Sequence, residues 1–397
     1  MIPFDYHRAS SVEDAVTAVA DRPDAVFLAG GTNLVDHMKL GVVSPALVVD
    51  VGHLPLTEVE QMPDDGVRVG ADVRNSDLAA HPLIRSRYPA LSRALLSAAS
   101  GQLRNLATTA GNLLQRTRCV YFQDVTTPCN KRTPGSGCSA IGGYVRYHAI
   151  LGASQDCVAV HPSDMAVAMA ALDAKVVCVD GEGEHRIPLT EFHRLPEDRP
   201  EQDTVLPPGA LITAVEIPPA PSGARSTYRK VRDRASYAFA LTSVAAELVI
   251  DDGTVRSARI ALGGVAHKPW RARRVEQRLV GSIPAPAFDV ESWETRHRFR
   301  YMLRGDIPLP IGNPGNRRWG IGLYDEVFYQ FGANRGARYL DQNRAYGALT
   351  YRITKTNRLE FGYLHQYVAQ RNGRVVEHNH TWQVALFSVT PFGRWKR

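Results

Sequence analysis

The chain has 397 residues, more than one hydrophobic core ordinarily serves, and its 44% hydrophobic and 22% charged composition is that of a soluble globular protein of two to four domains. No apolar run is long enough to cross a bilayer as a helix, and five cysteines at irregular spacing exclude a secreted disulfide scaffold. The net charge of +7 is concentrated. Residues 291–397 hold 17 Lys and Arg against 8 Asp and Glu, and 18 of the 32 aromatics, which argues against a basic nucleic-acid-binding protein and sets the last hundred residues apart in origin or environment.

In chain order, "SVEDAVTAVA" predicts a helix with Ser11 as N-cap. "AVFLAGGTNLVDHMK" predicts an apolar strand, a glycine turn and a helix. "PALVVDVG" and "GVRVGADV" predict strands, and "PALSRALLSAASGQLRNLAT" a helix. This alternation predicts an α/β fold for the first segment. "HPSDMAVAMAALDAKVVCVD" predicts a capped helix and then a strand, and "TVLPPGALITAVEIPPA" a strand between prolines. "YRKVRDRASYAFALTSVAAELVIDDGTVRSARIALGGV" predicts a helix and antiparallel strands turning at Asp252-Gly253. "GSIPAPAFDV" has linker composition, which places a boundary near Val290. Beyond it, short alternating aromatic and β-branched runs predict antiparallel β structure.

Two loops are candidates for binding a ligand. Phe27, Leu28, Ala29, Gly30, Gly31, Thr32, Asn33 and Leu34 form a strand–turn–helix junction. Its glycines let the backbone approach a ligand, and backbone N–H groups at a helix start suit a pyrophosphate. A Gly-Gly turn is more often only a turn. The second loop, "NLATTAGNLLQ", holds Thr108, Thr109, Gly111 and Asn112, either as a polar helix C-cap or as a second backbone clamp on the same ligand.

Three cysteines, Cys119, Cys129 and Cys138, sit in a Pro/Gly-rich stretch, and eighteen residues separate Cys138 from Cys157. Zinc sites usually bring close C-x2–4-C pairs, absent here. A cubane cluster needs four converging thiolates, which wide spacing on a long loop can supply. Arg116, Arg118, Lys131 and Arg132 would offset the charge. Iron–sulfur, zinc and no metal all remain open on spacing alone. Cys178, in "KVVCVD", reads as a small buried hydrophobe.

"LAGGTNL", "ATTAGNLLQRTRC", "PCNKRTPGSGC" and "CVAVHPSDMAVAMAALDA" together resemble the FAD-binding medium subunit of the xanthine dehydrogenase family of molybdenum hydroxylases. The resemblance covers about residues 1–285 and points to the branch of bacterial periplasmic-type aldehyde oxidoreductases. It implies an α+β fold with two α/β FAD-binding subdomains of PCMH type, at 1–55 and 56–222. The second carries an iron–sulfur loop at 115–160, and a shortened α+β C-terminal domain follows at 223–290. It implies that residues 27–34 hold the FAD pyrophosphate, with Thr108, Gly111 and Asn112 as the second loop. Asp164 would lie near the adenosine, Ile212 would line the flavin region and Lys230 would contact FAD. Cys119, Cys129, Cys138 and Cys157 would ligate a [4Fe–4S] cluster. From the residues themselves, Asp164 also reads as a helix N-cap, Lys230 as a surface salt bridge and His161 as a loop residue.

The implied activity is electron transfer from a molybdenum-cofactor large subunit and a [2Fe–2S] small subunit, through FAD, to an external acceptor. The chain itself contributes no general acid or base. Sister branches act on purines or aromatic acyl-CoA, and a zinc-stabilised scaffold is the non-enzymatic alternative. No nucleic acid is expected, and no membrane apart from the β tail. Residues 291–397 resemble an uncharacterised outer-membrane-like β-protein family, so the chain reads as a fusion or chimera. "MIPFDYHRASSVEDAV" has no basic n-region followed by an apolar h-region, so the expected compartment is the cytoplasm, or the periplasm by export with a signal-bearing partner.

Overall fold

A computed structural model describes residues 2–282, 297–311, 318–331, 340–354, 357–369 and 376–388. They fall into two compact units, 1–285 and 286–397. The boundary expected near Val290 lies outside the described residues.

The first unit begins with a three-stranded parallel sheet, Asp5–Arg8, Leu47–Asp50 and Ala25–Leu28, with Leu47–Asp50 in the centre. Helix Val12–Val19 packs on it, started by Ser11, whose hydroxyl accepts from Asp14 N–H. A five-stranded antiparallel sheet follows, in the order Val59–Gln61, Val67–Gly70, Leu211–Ile217, Lys175–Asp180, Gly183–Pro188. Helix Asp164–Ala171 is buried at every position, as its unbroken run of Met, Ala and Val requires. It anchors the main core, together with Leu91 and Leu95 of helix Pro89–Ser97.

Two expectations fail here. The helix over 89–108 is broken: Ala99 takes a left-handed conformation, φ 45°, and a short turn Gly101–Arg104 restarts from Ser100. The stretch around "YRKVRDR" forms no helix. Ala224–Val231 is a strand, paired antiparallel with Thr242–Asp251, which hairpins onto Thr254–Gly263. The turn at Asp252-Gly253 holds, with both residues at positive φ as a tight two-residue hairpin demands.

The second unit contains an open antiparallel meander of His297–Pro308, Trp319–Phe331, Leu340–Arg352, Asn357–Ala369 and Val376–Ser388. Its two faces differ. Ile307, Ile321, Leu349, Phe361 and Val384 form one apolar row across all five strands. The opposite face carries buried Glu360, 2.7 Å from both Arg304 and Arg358, and buried Glu326, 3.3 Å from Arg344. Among the described residues no helix is long and apolar enough to cross a membrane.

Candidate flavin and thiol sites

The two candidate loops meet. Gly30 packs so tightly on the second loop that a Cβ there would lie 2.0 Å from the carbonyl oxygen of Leu106. Arg74 donates to the same carbonyl. Gly31 sits at φ +69°, the left-handed region that glycine enters freely. Among the described residues, the backbone N–H groups of Gly30, Gly31, Thr32 and Asn33 donate to no other protein group. Four free donors in a row, partly exposed, make a cradle for an anion.

The second loop differs from its expected form. Thr108 ends no helix; it starts one, its hydroxyl accepting from Gly111 N–H at the head of Thr109–Leu113. Backbone bonds from Thr109 N to Val73 O and from Ala110 N to Ala71 O fix it to the strand end. Asn112 accepts a 2.6 Å hydrogen bond from the Ser163 hydroxyl, which also caps the buried helix. Ser163 is thus the N-cap, and Asp164 is the first helical residue.

Asp164 and Lys230 form a buried pair, 2.7 Å apart with both side chains 4% exposed, rather than a surface salt bridge. The Tyr228 hydroxyl donates to the other carboxylate oxygen at 2.5 Å. Burial pushes the Asp164 carboxyl up, against the opposing pull of Lys230 and Tyr228. Lys230→Met is therefore expected to cost only about 2 kcal/mol, because Asp164 can take up a proton when its cation is removed. The midpoint of a urea melt reads this. Ile212 lies inside the core opposite Cys178, which is itself fully buried as expected. Close to the loops, Asp72 Oδ2 and Asn75 Oδ1 are buried without a protein partner, and burial lifts Asp72 to about 6.

Cys119, Cys129, Cys138 and Cys157 line one cavity, together with Thr117, Phe122 and Lys131. Cys129 and Cys138 face each other as a bridge pair. The insert has little regular structure, and side chains stitch it. Arg132 donates to Tyr121 O and Phe122 O, and Asn130 ties both Gly137 and Asp156. All four thiols are free. Burial raises Cys119, and raises Cys157 to about 11. Among the described residues no three His, Cys, Asp or Glu side chains are set to hold a single metal ion. A cubane has a wider demand, because each thiolate binds its own iron.

One network joins the cavity to the flavin loop. Arg116 N–H donates to the Asn33 side chain at 2.9 Å. The Arg116 guanidinium lies 2.7 Å from Asp203 and 4.7 Å over the Phe122 ring. Asp203 also holds Lys131, 2% exposed, at 2.5 Å. His37, on the helix Leu34–Leu40 that the flavin loop opens, packs edge-on against Phe122. Asp203 and His37 had no local sequence signal; both act through residues far away in the chain. His161 is a loop residue as expected, but it is buried and packed against His193 with ring centroids 4.1 Å apart and planes tilted by 45°.

Residues 2–220 match the family described as the FAD binding domain in molybdopterin dehydrogenase. The chain belongs to that family. Residues 226–288 match the CO dehydrogenase flavoprotein C-terminal domain, and residues 271–396 match a protein family of unknown function, DUF2490. The aldehyde oxidoreductase FAD-binding subunit PaoB of Escherichia coli is 55% identical over 70% of this chain and 86% of its own length. The glyceraldehyde dehydrogenase medium chain of Sulfolobus acidocaldarius is 27% identical over 70% of this chain and 81% of its own length. Among solved structures, the reconstituted CO dehydrogenase from Oligotropha carboxidovorans superposes with a TM-score of 0.55 at 26% identity, covering 71% of this chain and 83% of that one. The mixed α+β architecture is that of these FAD subunits of oxidoreductase complexes. Both glycine loops fall within the FAD-binding match, outside residues 291–397. Deleting 291–397 is expected to leave the FAD content per chain unchanged, and loss of flavin from the shortened protein would refute this.

Proposed function

We propose that this chain is the electron-transfer subunit of a molybdenum-dependent aldehyde oxidoreductase, carrying FAD and a [4Fe–4S] cluster. The observation that carries the reading is the convergence of four thiols on one cavity that is bonded, through Arg116 and Asn33, to the flavin loop. The donor set suits the cluster: four cysteines match cubane ligation, and buried Lys131 at the cavity wall offsets part of the thiolate charge. The FAD fit rests on the four free N–H groups of residues 30–33 and the facing Thr108–Asn112 loop. Asp164 and Lys230 would hold the adenosine side, and Ile212 would support the flavin region from within the core.

Bound FAD supplies the redox chemistry, and the protein supplies position and electrostatics. Gly30–Asn33 bind the pyrophosphate by backbone alone. Thr108 holds Gly111 and Ser163 holds Asn112, so the second clamp is rigid before the ligand arrives. The identity to PaoB supports the aldehyde as the class of substrate oxidised by the complex. The relatives named as medium chains support large and small subunits as partners, and an external acceptor would be the electron exit. Purine or aromatic acyl-CoA substrates are the alternative. The compartment would be the cytoplasm, or the periplasm if a partner carries the export signal.

The test is anaerobic purification with FAD, iron, sulfide and zinc measured on one sample. About one FAD, four irons and four sulfides per chain is the expected result for one cubane site. FAD with no iron would remove the cluster and keep the flavin role. A colourless zinc protein would favour the scaffold.

A further inference from the structure

Two imidazoles stand against the thiol cavity, and neither the flavin nor the cluster assignment uses them. His148 Nε2 lies 3.2 Å from Cys119 Sγ, and His267 Nε2 lies 3.3 Å from Cys157 Sγ. Both residues are 7% exposed. They reach the cavity from different parts of the chain: His148 belongs to the insert, and His267 follows strand Thr254–Gly263. Nδ1 of each ring is buried with no protein partner among the described residues.

That last fact decides the tautomer. A proton on Nδ1 would bury an N–H with no acceptor, the costlier kind of orphan. A proton on Nε2 points at sulfur and leaves only a lone pair unsatisfied. A ring with its proton on Nε2, 3.2 or 3.3 Å from the sulfur, is an N–H···S donor.

We propose that His148 and His267 are paired N–H···S donors to Cys119 and Cys157 that raise the reduction potential of the cluster bound there. The inference rests on the cluster reading above. A hydrogen bond to a ligating sulfur withdraws electron density and stabilises the more negative, reduced form, so the potential rises. The histidines are positioning residues: they touch the ligands and exchange no electron or proton in the reaction.

The test is a redox titration of the anaerobic protein, with the cluster followed by low-temperature EPR and the flavin by absorbance. His148→Phe and His267→Phe are each expected to shift the cluster midpoint downward while the flavin midpoint stays in place. His148→Gln and His267→Gln, which return an N–H near Nε2, should recover part of the shift. Phe variants that keep their iron and the wild-type midpoint would overturn the proposal. A readout independent of variant assembly uses the unaltered protein labelled with 15N-histidine. Electron–nuclear double resonance of the reduced cluster should show 15N coupling and a proton coupling that disappears in D2O; the absence of both would also overturn it. A wild-type protein without iron sinks the cluster reading and this inference together. Iron without histidine coupling sinks the inference alone.

Discussion

Gly30→Ala is expected to purify nearly free of flavin. The new Cβ would lie 2.0 Å from Leu106 O and 2.8 Å from Leu106 C, both backbone atoms that cannot swing away. One of the two loops must retreat, and the retreat separates the four N–H groups of residues 30–33 from the Thr108 loop across the ligand. Overpacking of this kind costs about 1–3 kcal/mol, which is ~5–150-fold in affinity if it falls on the bound state. Isothermal titration of the deflavinated protein with FAD measures it. Gly101→Ala is the control: it opens a short helix, its Cβ would meet nothing within 4 Å, and its affinity should be unchanged. Unchanged affinity in both variants would show that the loops tolerate a shift and that Gly30 is only a turn.

Asp203→Ala is expected to give the largest loss of stability. The carboxylate bridges Lys131, 2% exposed, and Arg116 at 2.7 Å, and removing it leaves two cations beside one another. Arg116 cannot shed its charge, and among the described residues Lys131 keeps only the carbonyl of Pro200 at 2.6 Å. Stranding the buried Lys131 charge costs about 3–5 kcal/mol, more than the Asp164 pair, where a proton can substitute for the lost cation. Chemical denaturation reads the loss. Burial alone would raise the Asp203 carboxyl, but the Lys131 and Arg116 charges and their hydrogen bonds hold it well below the usual carboxylate range. Its folded pKa is depressed, so its contribution is complete above the unfolded value of about 4 and is lost as pH falls toward the folded one. The acid limb of the stability profile should be flatter in Asp203→Ala than in wild type. A parallel limb in the two proteins would place the acid sensitivity elsewhere.

Local chemistry was readable, and distant pairing was not. Gly30-Gly31 between an apolar run and a helix marked the first loop, because a strand-to-helix turn leaves its signature within eight residues. The capped start of the helix at 164–171 and the Asp252-Gly253 hairpin were visible for the same reason, although the cap falls on Ser163 and not on Asp164. "YRKVRDR" misled because charge on both faces resembles an exposed helix. Ala224–Val231 is instead held by its ladder to Thr242–Asp251, a constraint that no window of its own residues contains. The four cysteines advertised a site. Its supports, Asp203, His148 and His267, are ordinary polar residues whose meaning comes from partners up to 110 residues away.

The reach of His267 across those 110 residues to Cys157 also sets a clock. A ribosome adding roughly 5–20 residues per second needs about 6–20 s to pass from one to the other, and the imidazole that backs Cys157 is missing throughout. Until then the four sulfurs are an open chelator on a nascent segment with little regular structure to protect it. Under the cluster proposed above, assembly would either follow the emergence of the C-terminal strands of the first unit or need the cysteines shielded until then.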